Sequence, residues 1–233
     1  MRLSIIVPLY NEAPVVEACL QRVASVKLPR HLEREILVVD DGSTDGSGRI
    51  VEKMSLPSVS LLRHTGNRGK GAALRTALEK ASGDIILIQD ADLEYNPAEY
   101  PKLLDPILNG NAEVVYGSRF VSGECRRAHL FRHYMGNVFL TLLSNCFSNY
   151  NLSDMETCYK VFRRDILETI LPTLKENQFG FEPEFTAKVA RRKYRICELP
   201  IRYAGRSYQA GKKIKARDGL AALWCILRYS KWD

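Results

Sequence analysis

Ile85-Ile86-Leu87-Ile88-Gln89-Asp90-Ala91-Asp92 decides how the rest of this 233-residue chain is read. Four branched or apolar residues run straight into two carboxylates. Such a run, bounded by Ser82-Gly83 before it and polar residues after it, reads as a strand buried on both faces. The acids fall where that strand ends. Alternate side chains of an extended chain share a face, so Asp90 and Asp92 are expected to point the same way. Neighbouring carboxylates repel unless a positive group stands between them. A hard divalent ion, Mg²⁺ or Mn²⁺, suits their oxygens and characteristically bridges them to phosphate. A lone Asp-x-Asp is usually a solvated acidic loop. Its place at the carboxyl end of a buried strand favours a ligand site, because open α/β sheets bind ligands there.

Outward from this strand the chain alternates strands and helices. Leu3–Val7 reads as strand one, ended by Pro8 and the loop Leu9-Tyr10-Asn11-Glu12. Helical spacing covers Ala13–Val26. Glu35–Asp40 is strand two, followed by the turn Gly42-Ser43-Thr44-Asp45-Gly46 and a helix to about Met54. Val59–Leu62 is strand three, and Asn67–Ala81 is helical. After the central strand come a helix over Pro97–Leu108 and a strand over Glu113–Tyr116. This alternation predicts an α/β fold, a mostly parallel sheet with helices on both faces. Strands one, two and the central one each end in a polar cluster, and three such clusters at one sheet edge make a pocket.

Beyond Arg119 the texture changes. His129–Asn149 carries Phe131, Tyr134, Met135, Val138, Phe139, Leu142, Leu143 and Phe147 on a broad apolar stripe. It reads first as a core helix, with a helix lying partly in the membrane interface as the alternative. A short strand over Tyr159–Phe162, a helix over Pro183–Arg191, a strand over Arg195–Leu199 and a basic loop over Ala204–Lys213 follow. Ile214–Tyr229 is a terminal amphipathic helix, suited equally to docking on the sheet or on anionic lipid.

Composition bounds the function. The size fits one domain. Six scattered cysteines, without a Cys-x-x-Cys pair or a signal peptide, point to reduced thiols in the cytoplasm. No run is long enough to span a bilayer. The net charge of +7 is uneven: residues 186–233 hold 13 Lys or Arg against 3 Asp or Glu. A basic tail on a near-neutral body implies an anionic partner such as a membrane surface or a phosphate. Nucleic acid is not expected, because neither a binding motif nor a ladder of stacking aromatics is present.

If Asp90 and Asp92 hold a divalent ion on a diphosphate, the ligand is a nucleotide carrying a transferable group. Asp40 is placed to accept hydrogen bonds from its base or ribose, and Tyr10 to stack on the base. Gly66-Asn67-Arg68-Gly69-Lys70-Gly71 lacks Walker spacing, and no Gly-x-Gly-x-x-Gly follows strand one, so a dinucleotide cofactor is not expected. No nucleophile–base constellation is visible, and the four histidines form no metal-spaced cluster. An acceptor that is itself an anion needs no general base; it needs Arg and Lys to bind it. Arg119, Arg132, Arg206, Lys212 and Lys213 are candidates.

In order along the chain stand Val7-Pro8-Leu9-Tyr10-Asn11-Glu12, Val38-Val39-Asp40-Asp41-Gly42-Ser43-Thr44-Asp45-Gly46, Asn67-Arg68-Gly69-Lys70-Gly71, Asp90-Ala91-Asp92-Leu93, Gly117-Ser118-Arg119, Asp154-Met155-Glu156-Thr157 and Tyr159-Lys160-Val161-Phe162-Arg163-Arg164. Over nearly its whole length the chain resembles the family 2 glycosyltransferases of GT-A fold, and among them the dolichol-phosphate mannose synthase and polyprenyl-phosphate glycosyltransferase group. The resemblance implies a single domain over residues 1–233. Residues 1–120 would form the nucleotide-sugar-binding half and 121–233 the acceptor half with the basic C-terminal segment. It implies inverting transfer of one sugar from GDP-mannose or a UDP-hexose to a polyprenyl or dolichyl phosphate. Pro8, Tyr10, Glu12 and Asp40 match positions that hold the nucleotide. Asp90 and Asp92 match the metal-binding acids, with the Ala91 backbone touching the nucleotide. Glu94 falls where relatives often have Gln, which also reaches the metal. Arg119 and Arg132 match arginines near the acceptor phosphate, and Arg206 and Lys213 match a phosphate clamp.

The Gln-x-x-Arg-Trp motif of processive synthases and their membrane spans are missing, which argues for single-sugar transfer. The enzyme would then be cytoplasmic, peripheral to the inner face of the membrane, and meet its lipid through surface helices or a membrane-protein partner. Two other readings compete. One is the same fold acting on a glycan or soluble acceptor, with Asp154 or Glu182 as base. The other is a basic adaptor binding membrane or nucleic acid without catalysis.

Overall fold

The computed structural model describes residues 1–121, 130–206 and 216–231. The strands are β1 (Arg2–Leu9), β2 (Glu33–Asp40), β3 (Val59–Arg63), β4 (Ile85–Ile88), β5 (Val114–Ser118), β6 (Lys160–Arg163) and β7 (Ile196–Pro200). Among the described residues they form one sheet in the order β3-β2-β1-β4-β6-β5-β7. β1 pairs parallel with β2 and β4, β2 with β3, and β5 with β7. Only β6 runs antiparallel, between β4 and β5. The expected mostly parallel sheet is therefore present. Every residue of β4 is buried, as is the middle of β1, because helices cover both faces of a parallel sheet.

The strand order creates the site. From β1 the chain adds β2 and then β3 on one side, and afterwards returns to lay β4 on the other side of β1. The direction of winding reverses between β1 and β4, and a ligand crevice opens at the carboxyl ends of two such strands. Right-handed crossovers place α1 (Val16–Ser25) and α2 (Ser47–Lys53) on one face and α3 (Lys70–Leu78) on the other. α4 (Tyr100–Leu108) lies against β5 and β6. A short helix, α6 (Arg164–Ile170), follows β6 where Arg163-Arg164 read only as a strand boundary. It buries Ile166, Leu167 and Ile170, too few positions for periodicity to reveal.

The second half corrects the core-helix reading of His129–Asn149. α5 (Phe131–Ser148) turns its small and polar residues inward, with Thr141 and Ser144 buried. Phe131, Met135, Phe139, Leu142 and Phe147 are exposed. α7 (Phe181–Arg191) and α8 (Ala216–Lys231) pack with α5. α8 buries Ala222, Cys225, Ile226 and Tyr229 but leaves Leu220, Trp224 and Leu227 outside. No described helix is long and apolar enough to cross a membrane.

Candidate active site

β4 stops at Ile88, and Gln89 still donates its backbone N–H to Ile6 O. The two acids thus stand in the loop beyond the strand, and strand alternation is not what orients them. Asp92 Oδ1 accepts the Glu94 N–H at 3.0 Å, and Leu93 between them takes a left-handed φ of 63°. The acids nonetheless sense each other. Burial, then the charges of Asp90 and Glu94, push the Asp92 carboxyl up to about 7. Ala91 between them is buried.

Among the described residues, two cations answer this negative charge. Lys70 Nζ, at the start of α3, lies 3.0 Å from Asp90 Oδ1 and 2.9 Å from Glu182 Oε1. Burial opposes the Lys70 charge, but Asp90 and Glu182 outweigh it and hold its pKa well above the ordinary lysine value. Arg206 spans the other acids. Its Nη1 and Nη2 each reach a Glu12 oxygen at 2.9 Å, Nη2 is 3.3 Å from Asp92 Oδ2, and Nε is 3.1 Å from Glu94 Oε1. The Tyr203 hydroxyl donates to the other oxygen of Glu94.

The loops around this centre are tied to one another. Asn11 N–H donates to Ser43 Oγ, Glu12 N–H to Ser47 Oγ, and Thr44 N–H to Asn11 Oδ1. Asp40, expected to meet a base or ribose, accepts the Ser43 N–H through Oδ1. Its Oδ2 lies where a Cβ on Gly48 would sit, 2.0 Å away, so only glycine fits there. Tyr10 is 36% exposed beside this turn and presents a ring to solvent; Pro8 lies within β1, opposite Val39. Asp41 was not anticipated: it accepts the Arg68 and Gly69 N–H groups and pairs with His64 at 2.6 Å, fixing the loop that carries Lys70.

Arg119 follows β5 and forks onto Asp154, with Nε and Nη2 each 2.7 Å from a carboxylate oxygen. The Asp154 side chain is 0% exposed. The Arg119 guanidinium lies 5.3 Å from the Tyr203 ring. Asp154, Arg119, Tyr203, Glu94, Arg206 and Asp92 therefore form one continuous chain of contacts. Arg132 stands exposed in the first turn of α5, and no contact among the described residues joins it to these acids. Lys212 and Lys213 lie outside the described residues. A cleft between α5, α7 and α8, lined by Phe147, Pro183, Ala187 and Ile226 among others, carries no carboxylate, unlike the β1–β4 edge.

Two expected results arise here. Arg206→Ala should tighten the binding of Mn²⁺ alone, measured by calorimetry, by roughly tenfold, because a metal no longer competes with a resident guanidinium worth about 1.4 kcal/mol. Unchanged or weaker metal binding would show that Arg206 is no competitor. Glu156 gives a pH effect. Burial first, then the Glu182 charge, push its carboxyl up to about 8 from 4.5. The folded chain keeps a proton that the unfolded chain releases, so stability falls as pH rises from about 4.5 to about 8. Melting temperatures across that range should decline less steeply in Glu156→Gln than in the unmodified protein.

The fold, a mostly parallel sheet with an acid pair at its winding reversal, is that of the GT-A glycosyltransferases. The chain belongs to glycosyl transferase family 2, whose family model matches residues 4–171. It is 32% identical to the undecaprenyl-phosphate mannosyltransferase of Micrococcus luteus, over 98% of each chain. It is 27% identical to the polyprenol monophosphomannose synthase of Mycolicibacterium smegmatis, over 97% of this chain and 87% of that one. Among solved structures, glucosyl-3-phosphoglycerate synthase from Mycobacterium tuberculosis, in complex with Mn²⁺, UDP and glucosyl-3-phosphoglycerate, shares the fold. Its TM-score is 0.74 at 18% identity, covering 100% of this chain and 81% of that one.

Proposed function

We propose that this glycosyltransferase moves a single hexose, with inversion, from GDP-mannose or a UDP-hexose to the phosphate of a polyprenyl or dolichyl phosphate at a membrane surface. The observation that carries the reading is the chain of contacts from Asp92 through Arg206, Glu94 and Tyr203 to Arg119. In this reading it links the end that handles the diphosphate to the end that handles the second anion. The names of the relatives from Micrococcus and Mycolicibacterium support the lipid-phosphate acceptor and favour mannose.

Asp90 and Asp92 would hold Mg²⁺ or Mn²⁺, whose preference for hard oxygen ligands their carboxylates suit. No three acids, histidines or cysteines among the described residues are grouped as a ready cage, so the fit is to an ion arriving with its nucleotide. When bound, the ion supplies positive charge to the departing diphosphate. Glu94 joins only once Arg206 and Tyr203 release its oxygens. Tyr10, Pro8, Glu12, Asp40 and the Ala91 backbone line the nucleotide side. Arg206, freed from Glu12, turns to the donor phosphates, and Lys213, outside the described residues, is assigned the same task. Arg119 and Arg132 hold the acceptor phosphate.

The acceptor oxygen attacks the anomeric carbon from the face opposite the diphosphate, the bond to the diphosphate oxygen breaks, and the configuration inverts. An already ionised phosphate needs no base. Asp154 and Glu182, the candidate bases for a neutral acceptor, are both engaged by cations. Residues 1–120 supply the donor side and 121–233 the acceptor side, with Arg206 reaching back between them.

Among the described residues, nine of the eleven exposed large apolar side chains lie on or beside α5 and α8, including Phe131, Phe139, Leu142, Leu220 and Trp224. Apolar area on this scale beside basic residues suits the interface of an anionic bilayer at the cytoplasmic face. A labelled GDP-mannose or UDP-glucose, supplied with Mn²⁺ and polyprenyl-phosphate vesicles, should yield a lipid-linked sugar. Label appearing equally in soluble products without the lipid overturns the acceptor assignment. Phe139→Ser/Trp224→Ser should lower the fraction that floats with phosphatidylglycerol vesicles, whereas unchanged flotation would remove α5 and α8 as the docking face.

A further inference from the structure

Glu182 has one carboxylate oxygen engaged and one without a partner. It is the second residue of α7 and is 4% exposed. Its Oε1 meets Lys70, while its Oε2 is buried with no hydrogen-bond partner among the described residues. Glu156, in the turn between α5 and β6, shows the same feature at its buried Oε1. Folded proteins rarely leave such oxygens unmatched, and each instance asks for the group that would complete it. The two carboxyls lie near enough for the Glu182 charge to be the largest influence on Glu156 after burial itself.

Their position suggests what completes them. Lys70 ties Glu182 to Asp90 on the diphosphate side. Arg119 and Asp154, on the acceptor side, act electrostatically on Glu156. Lys160, fully buried, donates to the Met155 and Thr157 carbonyls and so props the turn carrying Glu156. Between a donor diphosphate and an acceptor phosphate lies the group in transit.

We infer that Glu182 and Glu156 form the subsite for the donor's hexose, their unpartnered oxygens set to hydrogen-bond its hydroxyls. This assignment rests on the proposed function. A pyranose hydroxyl both donates and accepts. Glu182, with one oxygen on Lys70, offers its other oxygen as an acceptor; Glu156, holding its proton up to about 8, also donates. An acid of each kind reads neighbouring hydroxyls in both senses. Sites that hydrogen-bond a hydroxyl reject analogues lacking it far more strongly than apolar pockets reject a size change. The pair therefore bears on which hexose is taken, and neither member removes a proton from the acceptor.

Calorimetry on the full chain with Mn²⁺ tests this, using GDP against GDP-mannose and UDP against UDP-glucose. The quantity read is the ratio of nucleoside diphosphate Kd to nucleotide-sugar Kd, which cancels any change at the diphosphate. In both Glu182→Gln and Glu156→Ala the ratio should fall at least tenfold, or about 1.4 kcal/mol. Wild type should also discriminate deoxy-sugar donors at a position where Glu182→Gln does not. A ratio within twofold of wild type in either variant removes that residue from the subsite. If both nucleotides lose affinity in parallel with their sugars, the residues act only through Lys70 and Asp90, and the subsite is overturned. A wild-type protein binding neither GDP nor UDP overturns the donor reading itself, a result distinct from loss of the sugar contribution alone. Glu156→Ala, which lies outside the Lys70 pair, carries the test if Glu182→Gln does not fold.

Discussion

Asp92→Ala should lose at least about 10³-fold in kcat/KM for sugar transfer, close to 4 kcal/mol of transition-state stabilisation, while keeping its fold. The residue stands beside Asp90 and Glu94, and burial with those like charges holds its carboxyl at about 7. A group held that far above the usual carboxylate range strains the folded state when ionised. Its stabilising contacts are the Glu94 N–H at 3.0 Å and the 3.3 Å pair with Arg206, which keeps Glu12 and Glu94 after Asp92 is gone. The stability change should therefore be small and of either sign, whereas the proposed ligand for a metal–diphosphate complex is lost outright. Steady-state transfer assays and melting curves measured together decide the matter. Full activity in Asp92→Ala would remove the metal role from this loop. An inactive, unfolded variant would show that the acid is structural.

Arg119→Ala should act in the opposite way, through stability as well as function. Asp154 is 0% exposed and takes Nε and Nη2 of Arg119, each at 2.7 Å. Removing the arginine leaves a buried carboxylate whose remaining donor here is the backbone N–H of residue 119. Breaking a buried pair from one side costs about 3–5 kcal/mol, because the surviving charge has neither water nor partner. For a chain of this size that is a fall in Tm of roughly 10 °C. Arg119→Ala/Asp154→Ala should recover much of the loss, since no charge is stranded, yet stay unable to use a lipid-phosphate acceptor. Equal Tm values for the single variant and wild type would show that Asp154 does not depend on its partner. Recovery of transfer in the double variant would remove Arg119 from acceptor binding.

Much of the donor half was legible in the sequence. The apolar runs of β1, β2 and β4 are long enough and uniform enough that only a two-sided burial suits them, and their polar ends fall at one edge once the strands are parallel. That is why Glu12, Asp40, Asp90 and Asp92 could be named together before any geometry. Lys70 was visible inside a glycine-rich loop but carried no sign of its partners. Its contact with Glu182 joins residues from α3 and α7, and the Arg206 contact with Glu12 spans 194 positions. Neither leaves any trace in local spacing.

α5 marks the boundary most clearly. The sequence determines that its large apolar residues form a stripe, because a helix repeats every 3.6 residues. It does not determine what the stripe meets. The Asn137, Thr141, Ser144 and Asn145 side of the helix is the one applied to the body, where Thr141 accepts the Met155 N–H and Asn145 bonds both ways with Leu152. Those polar groups need partners fixed in space, and once they have them Phe131, Phe139 and Leu142 face outward. The sequence alone thus determined the layered sheet, the acid pair and the family. Tertiary structure decided which cations stand against those acids, which carboxylate oxygens remain unmatched and which helix face is bare, because each depends on groups far apart in the chain arriving at one place.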